Sequence, residues 1–242
     1  MLNVVVPMGG AGKQFADRGA TFPKPLVEIH GRPMIEVVQQ NLEPREKHRF
    51  IFVCRNEHLE RYALGDLLRL LSPECAIVPL RQPTAGALCS VLLAAGHLDP
   101  EDELIVANAD QVIDVSMDTF LTFARRPGTD GCIVTFPATH PKWSYARVDD
   151  NGDVMMVAEK RPISRQATSG IYYFRRTADF LESAERMILK NASMAGEFYV
   201  CPVYNEFILD GRRVSSFPLE RGQMHSLGTP EDLDRFVSDT TG

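Results

Sequence analysis

The strongest constraint in this chain is a repeated alternation of short apolar runs and helical patterns across its first ~110 residues. Leu2 to Pro7 is a β-branched run, followed by the glycine turn Gly9-Gly10-Ala11-Gly12. Pro33 to Leu42 reads as a helix with proline at its start, where a missing N–H costs little. Phe50 to Cys54 and Cys75 to Val78 read as buried strands, and Leu104 to Ala107 as a fourth that ends at Asn108-Ala109-Asp110. Between them, Glu57 to Leu71 carries a helical leucine stripe, and Gly86 to Gly96 is small and apolar, as in a helix packed close to a sheet. Strand and helix in this rhythm predict a mainly parallel sheet with helices on both faces. Ligands in such sheets sit beyond the carboxyl ends of the strands, so the glycine turn and Asp110 are candidates for one crevice.

The second half changes rhythm. Gly131 to Phe136, Tyr145 to Val148, Val154 to Val157 and Gly170 to Phe174 read as strands, with Asp149-Asp150-Asn151-Gly152 suited to a hairpin. Helices are expected at Ala178 to Lys190 and Pro202 to Leu209, and a strand near Val214 to Phe217. Pro230 to Val237 closes the chain as a helix, with Thr229 as N-cap. The expectation is an α/β single domain over 1–242, Rossmann-like, with a mixed, mainly parallel sheet and a sheet-rich second lobe.

Composition removes several classes. At 242 residues, 44% hydrophobic and 24% charged, the chain is neither disordered nor collagen-like. A net charge of -6 supplies no field for nucleic acid. No apolar run approaches the ~18 residues of a membrane span, and no leader pattern precedes Leu2, so a cytoplasmic location is expected. Five scattered cysteines without a CxxC pair argue against a disulfide frame or zinc site.

A strand, a glycine turn and nearby lysines suit phosphate, because glycines let backbone N–H groups approach its oxygens. Two named versions fail here: the Rossmann fingerprint meets Phe15 where glycine is required, and the P-loop meets Pro7 and Gln14. Lys24, held between Pro23 and Pro25, is nonetheless a cation with a fixed direction, and with Lys13 it makes a cationic concavity on an acidic chain.

The ordered series Val4 to Phe15, Phe22-Pro23-Lys24-Pro25-Leu26-Val27 and Gly31-Arg32-Pro33-Met34-Ile35 resembles the nucleotidyltransferases that couple a sugar 1-phosphate to a nucleoside triphosphate. Thr84-Ala85-Gly86-Ala87 looks like their base-contacting loop, and Asn108-Ala109-Asp110 like their metal-binding strand end. Tyr145-Ala146-Arg147-Val148, Glu159-Lys160 and Thr168-Ser169-Gly170-Ile171-Tyr172 look like acceptor signatures, and Gly228 to Leu233 like the closing motif.

The resemblance implies a nucleotide-diphospho-sugar transferase fold in which residues 1–115 bind the NTP and 116–242 bind the acceptor. Met8, Gly9, Gly10, Gly12, Lys13, Thr84, Gly86 and Asn108 would hold the NTP. Lys13, Lys24 and Asp110 would be catalytic, with Asp110 holding Mg²⁺, a hard cation that takes carboxylate and phosphate oxygens. Tyr145, Glu159, Lys160, Thr168, Gly170 and Glu197 would hold the acceptor. Glu159 and Lys160 are adjacent and would face opposite sides of a regular strand, so both reaching one ligand requires a bulge or a strand end.

Gln14 stands where the family usually has arginine, and Ser226 where it often has a second metal-binding aspartate. His225 is a poor magnesium ligand, and Trp143 reads as either a buried anchor or part of a lid. The expected product is a nucleotide-activated sugar for capsule or lipopolysaccharide. CTP, UTP, dTTP and GTP all stay open as donors, and a homo-oligomer stays open. Alternatives are a cytidylyltransferase for phosphocholine or a phosphorylated amino-acid amide, a glycosyltransferase of related fold, and a non-catalytic nucleotide-binding relative.

Overall fold

The computed structural model describes residues 1–240. The chain runs β1 (Leu2–Met8), α1 (Lys13–Asp17), a 3-10 turn (Lys24–Leu26), β2 (Glu28–Ile29), β3 (Arg32–Pro33), α2 (Met34–Asn41), β4 (His48–Arg55), α3 (Asn56–Tyr62), α4 (Leu64–Leu71), β5 (Ala76–Leu80), α5 (Ala87–Leu92), a 3-10 turn (Ala95–His97) and β6 (Glu103–Ala107). It continues through β7 (Gln111–Ile113), α6 (Met117–Ala124), β8 (Gly131–Pro137), β9 (Tyr145–Val148), β10 (Val154–Ala158), β11 (Gln166–Phe174), α7 (Thr177–Leu189), α8 (Val203–Leu209), β12 (Val214–Pro218), β13 (Met224–Ser226) and α9 (Pro230–Asp239).

Among the described residues, nine strands join in one sheet with the path β10-β9-β11-β6-β1-β4-β5, and β8 joins β11 to β12. β1 lies parallel between β4 and β6, and β5 extends that parallel set. β11 then runs antiparallel to β6 on one edge and to β8 on the other. The sheet is thus parallel where the first half predominates and mixed in the second. The expected halves are one continuous sheet, joined where β11 meets β6.

Strand periodicity places the core on both faces. Val4, Val6, Phe50, Phe52, Ile105 and Tyr173 pack on one face with Met34, Val38, Phe120 and Leu233 from α2, α6 and α9. Val5, Ile51, Val53, Val106 and Phe174 pack on the other with Leu88, Phe180, Tyr204 and Phe207 from α5, α7 and α8. The near-continuous apolar character of β1 and β4 follows from this double burial.

Several segments differ from the sequence reading. The helix expected over Glu57 to Leu71 is two helices, because Ala63 adopts a left-handed backbone with φ 51 and restarts the hydrogen-bond ladder. The helix expected to Gly96 ends at Leu92 and tightens into a 3-10 turn. Neither β7 nor α6 was apparent. α6 is capped by Ser116, whose Oγ accepts from Thr119 N at 3.2 Å, while β7 exists only because β13 pairs with it across the chain. Asn41, at the end of α2, donates to Ile113 O at 2.8 Å and accepts from Ile113 N at 2.9 Å, which fixes β7 just beyond Asp110.

β11 carries an irregularity between Thr168 and Tyr172, where Gly170 takes φ 85. Such a bulge re-aims side chains, and here it faces the end of β6: Asn108 N donates to Gly170 O at 3.0 Å. At the far end of the adjoining strand, Gly131 lies against Tyr204, whose ring stacks on Phe174 at 4.6 Å and whose hydroxyl donates to Tyr173 O at 2.8 Å. A Cβ at 131 would sit 2.7 Å from Tyr204 Cε1. Because that ring is held on both sides, Gly131→Ala should destabilise the fold by about 1–3 kcal/mol through overpacking. Thermal unfolding should show a melting point lower by roughly 2–4 °C per kcal/mol lost.

Candidate active site

The carboxyl ends of β1 and β6 open into a cavity of about 550 Å³. Its walls bring together Met8, Gly10, Gly12, Lys13, Lys24, Asn108, Asp110, Glu159, Lys160, Thr168 and Gly170 from the sequence reading. Five expected residues stand back from the wall, each for a packing reason. A Cβ on Gly9 would lie 2.8 Å from Leu80 Cδ1, so Gly9 lets β1 turn close to β5. Thr84 turns inward, its Oγ1 donating to Gly86 O at 2.9 Å. Gly86 has φ 105, and a Cβ there would lie 2.4 Å from Phe198 O, so this loop packs on the 197–201 segment. Tyr145 is fully buried and donates to His140 O at 2.7 Å. Glu197 acts one residue behind the wall, accepting from Tyr199 OH at 2.5 Å.

At the centre, Lys24 Nζ donates to Asp110 Oδ2 at 2.5 Å and to Gly228 O at 3.0 Å. Gly12, with φ 61, brings the glycine turn against this lysine: a Cβ there would sit 3.1 Å from Lys24 Cβ. Three separate segments therefore meet at one ammonium. Thr229 caps α9 as expected, its Oγ1 accepting from Asp232 N at 3.1 Å.

Beyond Gly228 the site holds a carboxylate that the sequence places only within the closing motif. Asp232 lines the cavity, accepts from Ser226 Oγ at 2.9 Å and pairs with Lys142 Nζ at 2.9 Å. Burial pushes its carboxyl up, but the bonds from Lys142, Ser226 and Thr229 outweigh burial and hold it below the ordinary aspartate value. His225 is turned to Asp114, at 2.8 Å. Trp143 both packs edge-on against Phe136 at 5.2 Å and lines the cavity, so the anchor and the wall are the same residue.

At the opposite end β10 stops at Ala158, and Lys160 adopts a left-handed backbone with φ 48. That strand end lets both Glu159 and Lys160 face the cavity. Lys160 Nζ donates to Tyr199 OH at 2.7 Å, and this bond, with the charges of Glu159 and Glu197, holds the ammonium above the ordinary lysine value. Thr168 Oγ1 and Tyr172 OH are 3.0 Å apart. Tyr172, Tyr199, Val200, Cys201, Ser144 and Gln111 complete the wall. Tyr172 belongs to the acceptor signature of the sequence reading, whereas nothing short-range marks Val200, Cys201 or Gln111 for the wall.

Among the described residues no cluster of three or more His, Cys, Asp or Glu side chains forms a ready-made metal site. Asp110 is a hard oxygen donor at the centre of the cavity, which suits a magnesium ion that takes one or two carboxylates and fills its other positions with water and phosphate. No helix among the described residues is long and apolar enough to cross a membrane.

A family model described as nucleotidyl transferase matches residues 3–197. The chain belongs to that family. This nucleotidyl transferase family member is similar to the mannose-1-phosphate guanylyltransferase catalytic subunit beta of Danio rerio, at 27% identity over 214 residues, 82% of this chain and 58% of that protein. The Drosophila melanogaster protein of the same name is 26% identical over 209 residues, 81% of this chain and 55% of that one. The chain thus spans less than two thirds of the length of these relatives. The crystal structure of the nucleoside-diphosphate-sugar pyrophosphorylase from Vibrio cholerae RC9 superposes with a TM-score of 0.84 at 26% identity, over 97% of this chain and 99% of that one. The inositol-1-phosphate CTP transferase from T. maritima shares the fold, with a TM-score of 0.76 at 13% identity over 98% and 96% of the two chains.

Glu159 offers a pH test of this family member. Burial, opposed by the bond from Ser144 and the charge of Lys160, raises its carboxyl above the ordinary glutamate value. The folded chain therefore takes up this proton before the unfolded one does as pH falls, and stability is lost as pH rises from the unfolded value through the folded one. Glu159→Gln removes that loss. Thermal unfolding should show the variant melting above wild type at about pH 7.5, with the gap closing toward about pH 4. A gap that does not vary with pH would contradict a buried, raised carboxyl.

Proposed function

We propose that the chain transfers a nucleoside monophosphate from an NTP to a hydroxylated phosphate acceptor, a sugar 1-phosphate, with release of pyrophosphate. The observation that carries this reading is the Lys24 ammonium, fixed between Asp110 and Gly228 in a cavity with the glycine turn at one end and Glu159-Lys160 at the other. In the reaction an acceptor phosphate oxygen attacks the α-phosphorus of the NTP. A new P–O bond forms as the bond to the bridging oxygen of the β-phosphate breaks. Such a transfer needs charge neutralisation and in-line placement more than covalent catalysis.

Each group has one task. The glycine turn presents backbone N–H groups to the triphosphate, and Lys13 meets its outer phosphates. Lys24 moves from Asp110 toward the reacting phosphates as charge builds there. Asp110 would hold a divalent cation, which supplies further charge neutralisation when bound. Lys160 binds the acceptor phosphate, and Glu159 accepts hydrogen bonds from acceptor hydroxyls. Use of the product in surface-polysaccharide building is carried by the family resemblance alone.

The aromatic residues of the wall favour a hydroxylated acceptor over phosphocholine. Quaternary ammonium groups are held on open aromatic faces. Here Phe15, Trp143 and Tyr199 already carry Lys24, Lys142 and Lys160 at 5.6, 4.6 and 4.7 Å from the ring centroids. The wall's remaining ring, Tyr172, is only 5% exposed, so a choline group entering that cavity would meet ammonium charges rather than open aromatic faces.

The test is a panel of NTPs against sugar 1-phosphates, inositol phosphate and phosphocholine, read by pyrophosphate release with added Mg²⁺. Activity is expected with a hydroxylated acceptor and the metal, and absent with phosphocholine. No pyrophosphate from any pair would overturn the reading in favour of a binding protein, and nucleotide-sugar consumption without pyrophosphate would favour a glycosyltransferase. Lys24→Ala should lower kcat by roughly 10²–10³ while NTP binding, measured by calorimetry, changes far less. A change confined to the KM for NTP would remove Lys24 from the reacting centre.

A further inference from the structure

We propose that a second cavity, beside the active site, is a saccharide site that takes one neutral sugar ring. It lies between the end of β8, the 138–144 loop, β13 and α9, and measures about 260 Å³. Phe136, Trp143, Met224 and Phe236 give it apolar walls, and Arg235 and Asp239 give it charge. It shares Lys142, Trp143, Ser226 and Asp232 with the active-site cavity, so the two lie side by side along one partition. The transfer reaction proposed above gives no task to Arg235, Phe236 or Asp239.

Most of the lining is already held in place. Trp143 stands edge-on to Phe136, with ring centroids 5.2 Å apart and planes at 87°. Lys142 bridges the loop to α9 through Asp232 at 2.9 Å. His225 packs against Phe236 at 5.4 Å and is turned to Asp114 at 2.8 Å, which anchors the β13 side. Arg235 and Asp239 are different. They stand four residues apart on α9 and both line the cavity, yet neither makes an ion pair or hydrogen bond among the described residues. Basic before acidic is the weaker order for such a pair on a helix. One guanidinium and one carboxylate are therefore left for a ligand.

The chemistry selects among ligands. A cavity of about 260 Å³ is below the ~300–1,000 Å³ of drug-sized sites, so it takes one ring and not a whole nucleotide. Its lining sets two acids, Asp232 and Asp239, against two permanent cations, Lys142 and Arg235, so it does not select for an anion. A sugar ring fits this balance. Each hydroxyl can donate to a carboxylate and accept from a guanidinium, and adjacent hydroxyls match the planar fork of Arg235. The C–H face of the ring packs on the negative faces of aromatic side chains. A neutral sugar also meets no repulsion from the Lys142 ammonium, 4.6 Å from the Trp143 ring centroid. The occupant is either a free saccharide or the distal ring of an acceptor whose phosphate lies in the active site. Both present the same hydroxylated ring, and the second rests on the transfer reaction proposed above.

Trp143 is the single tryptophan of the chain, so its emission reports on the partition directly. The test titrates wild type, Arg235→Ala and Asp239→Asn with neutral mono- and disaccharides, with no nucleotide or phosphate present. On wild type at least one saccharide should change the emission saturably, with a Kd roughly in the millimolar range that suits one small ring. Each variant should weaken that binding by about tenfold or more, the effect of losing a hydrogen bond to a charged group. Both side chains are exposed, so the melting points should equal that of wild type.

Pyrophosphate release separates the two sources. For the distal ring of an acceptor, disaccharide 1-phosphates should show a lower KM than monosaccharide 1-phosphates, and both variants should erase that gap while leaving the monosaccharide KM unchanged. For a free saccharide, the two KM values should agree in wild type and variants alike, with the emission change intact. No saturable emission change with any saccharide, well above millimolar concentration, would overturn the proposal. An equal change in wild type and both variants would overturn it too, and would put the ring in the active-site cavity. Lower melting points in both variants would make Arg235 and Asp239 structural, with the same consequence. The titration uses no substrate, so a chain that binds the saccharide but releases no pyrophosphate loses the transferase reading and keeps this site.

Discussion

The site depends on one ammonium group. Lys24 is held at once by the carboxylate that ends β6 and by the carbonyl of Gly228 just before α9. These partners are 86 and 204 residues away in the chain. Only a sheet that sets β1 beside β6, and a β7–β13 pair that returns the chain to Asp110, can bring them together. The glycine turn completes the arrangement, since Gly12 must approach Lys24 closely. Neutralising Asp110 with a lysine also gives that carboxylate a partner when no substrate charge is present, and leaves both groups ready to exchange partners when phosphate arrives.

The two ends of the cavity differ in how they hold charge. Around Gly228, carboxylates meet lysines in direct pairs, Lys24 with Asp110 and Lys142 with Asp232. Around Lys160, charge is held through hydroxyls: Ser144 donates to Glu159, and Tyr199 stands between Lys160 and Glu197. Direct pairs suit a region that must exchange partners with a highly charged ligand. Hydroxyl-bridged groups suit recognition of a ligand that itself carries hydroxyls. Phe198 ties the second of these ends to the loop before α5, since its backbone bonds both Ala85 and Leu88 at 2.8 and 3.0 Å. The Thr84–Ala87 loop therefore positions the segment that carries Tyr199 and Cys201, which a reading of that loop as a nucleotide contact alone did not anticipate.

Much of the fold was legible because the signals were local. The near-continuous apolar runs of β1 and β4, the helix start at Pro33, the Asp149–Gly152 turn and the Thr229 cap each reside in a few consecutive residues. The strand end at Glu159-Lys160 was expected as well, because the resemblance sets both side chains on one ligand and strand alternation would part them. The break at Ala63 was not, because alanine is a good helix former and nothing local favours its left-handed backbone over a continuous leucine-striped helix. The β7–β13 pair was not, because three-residue strands carry no periodicity.

The sequence by itself determined the layered sheet, the glycine turn, the rigid placement of Lys24 between prolines and the acid at the end of a strand. Each is set by the sterics of its own backbone or by burial along its own element. Tertiary structure alone decided that Gln111 would be buried beside the Gly170 bulge, that Asp232 would stand behind Ser226, and that Tyr199 would bridge Lys160 to Glu197. Those features are made by groups brought together from distant parts of the chain, and they arise only when β11, β7 and α9 close around the same space. A polar residue looks the same in a sequence whether it ends in solvent or beside a glycine bulge, and the difference lies in which neighbours the fold supplies.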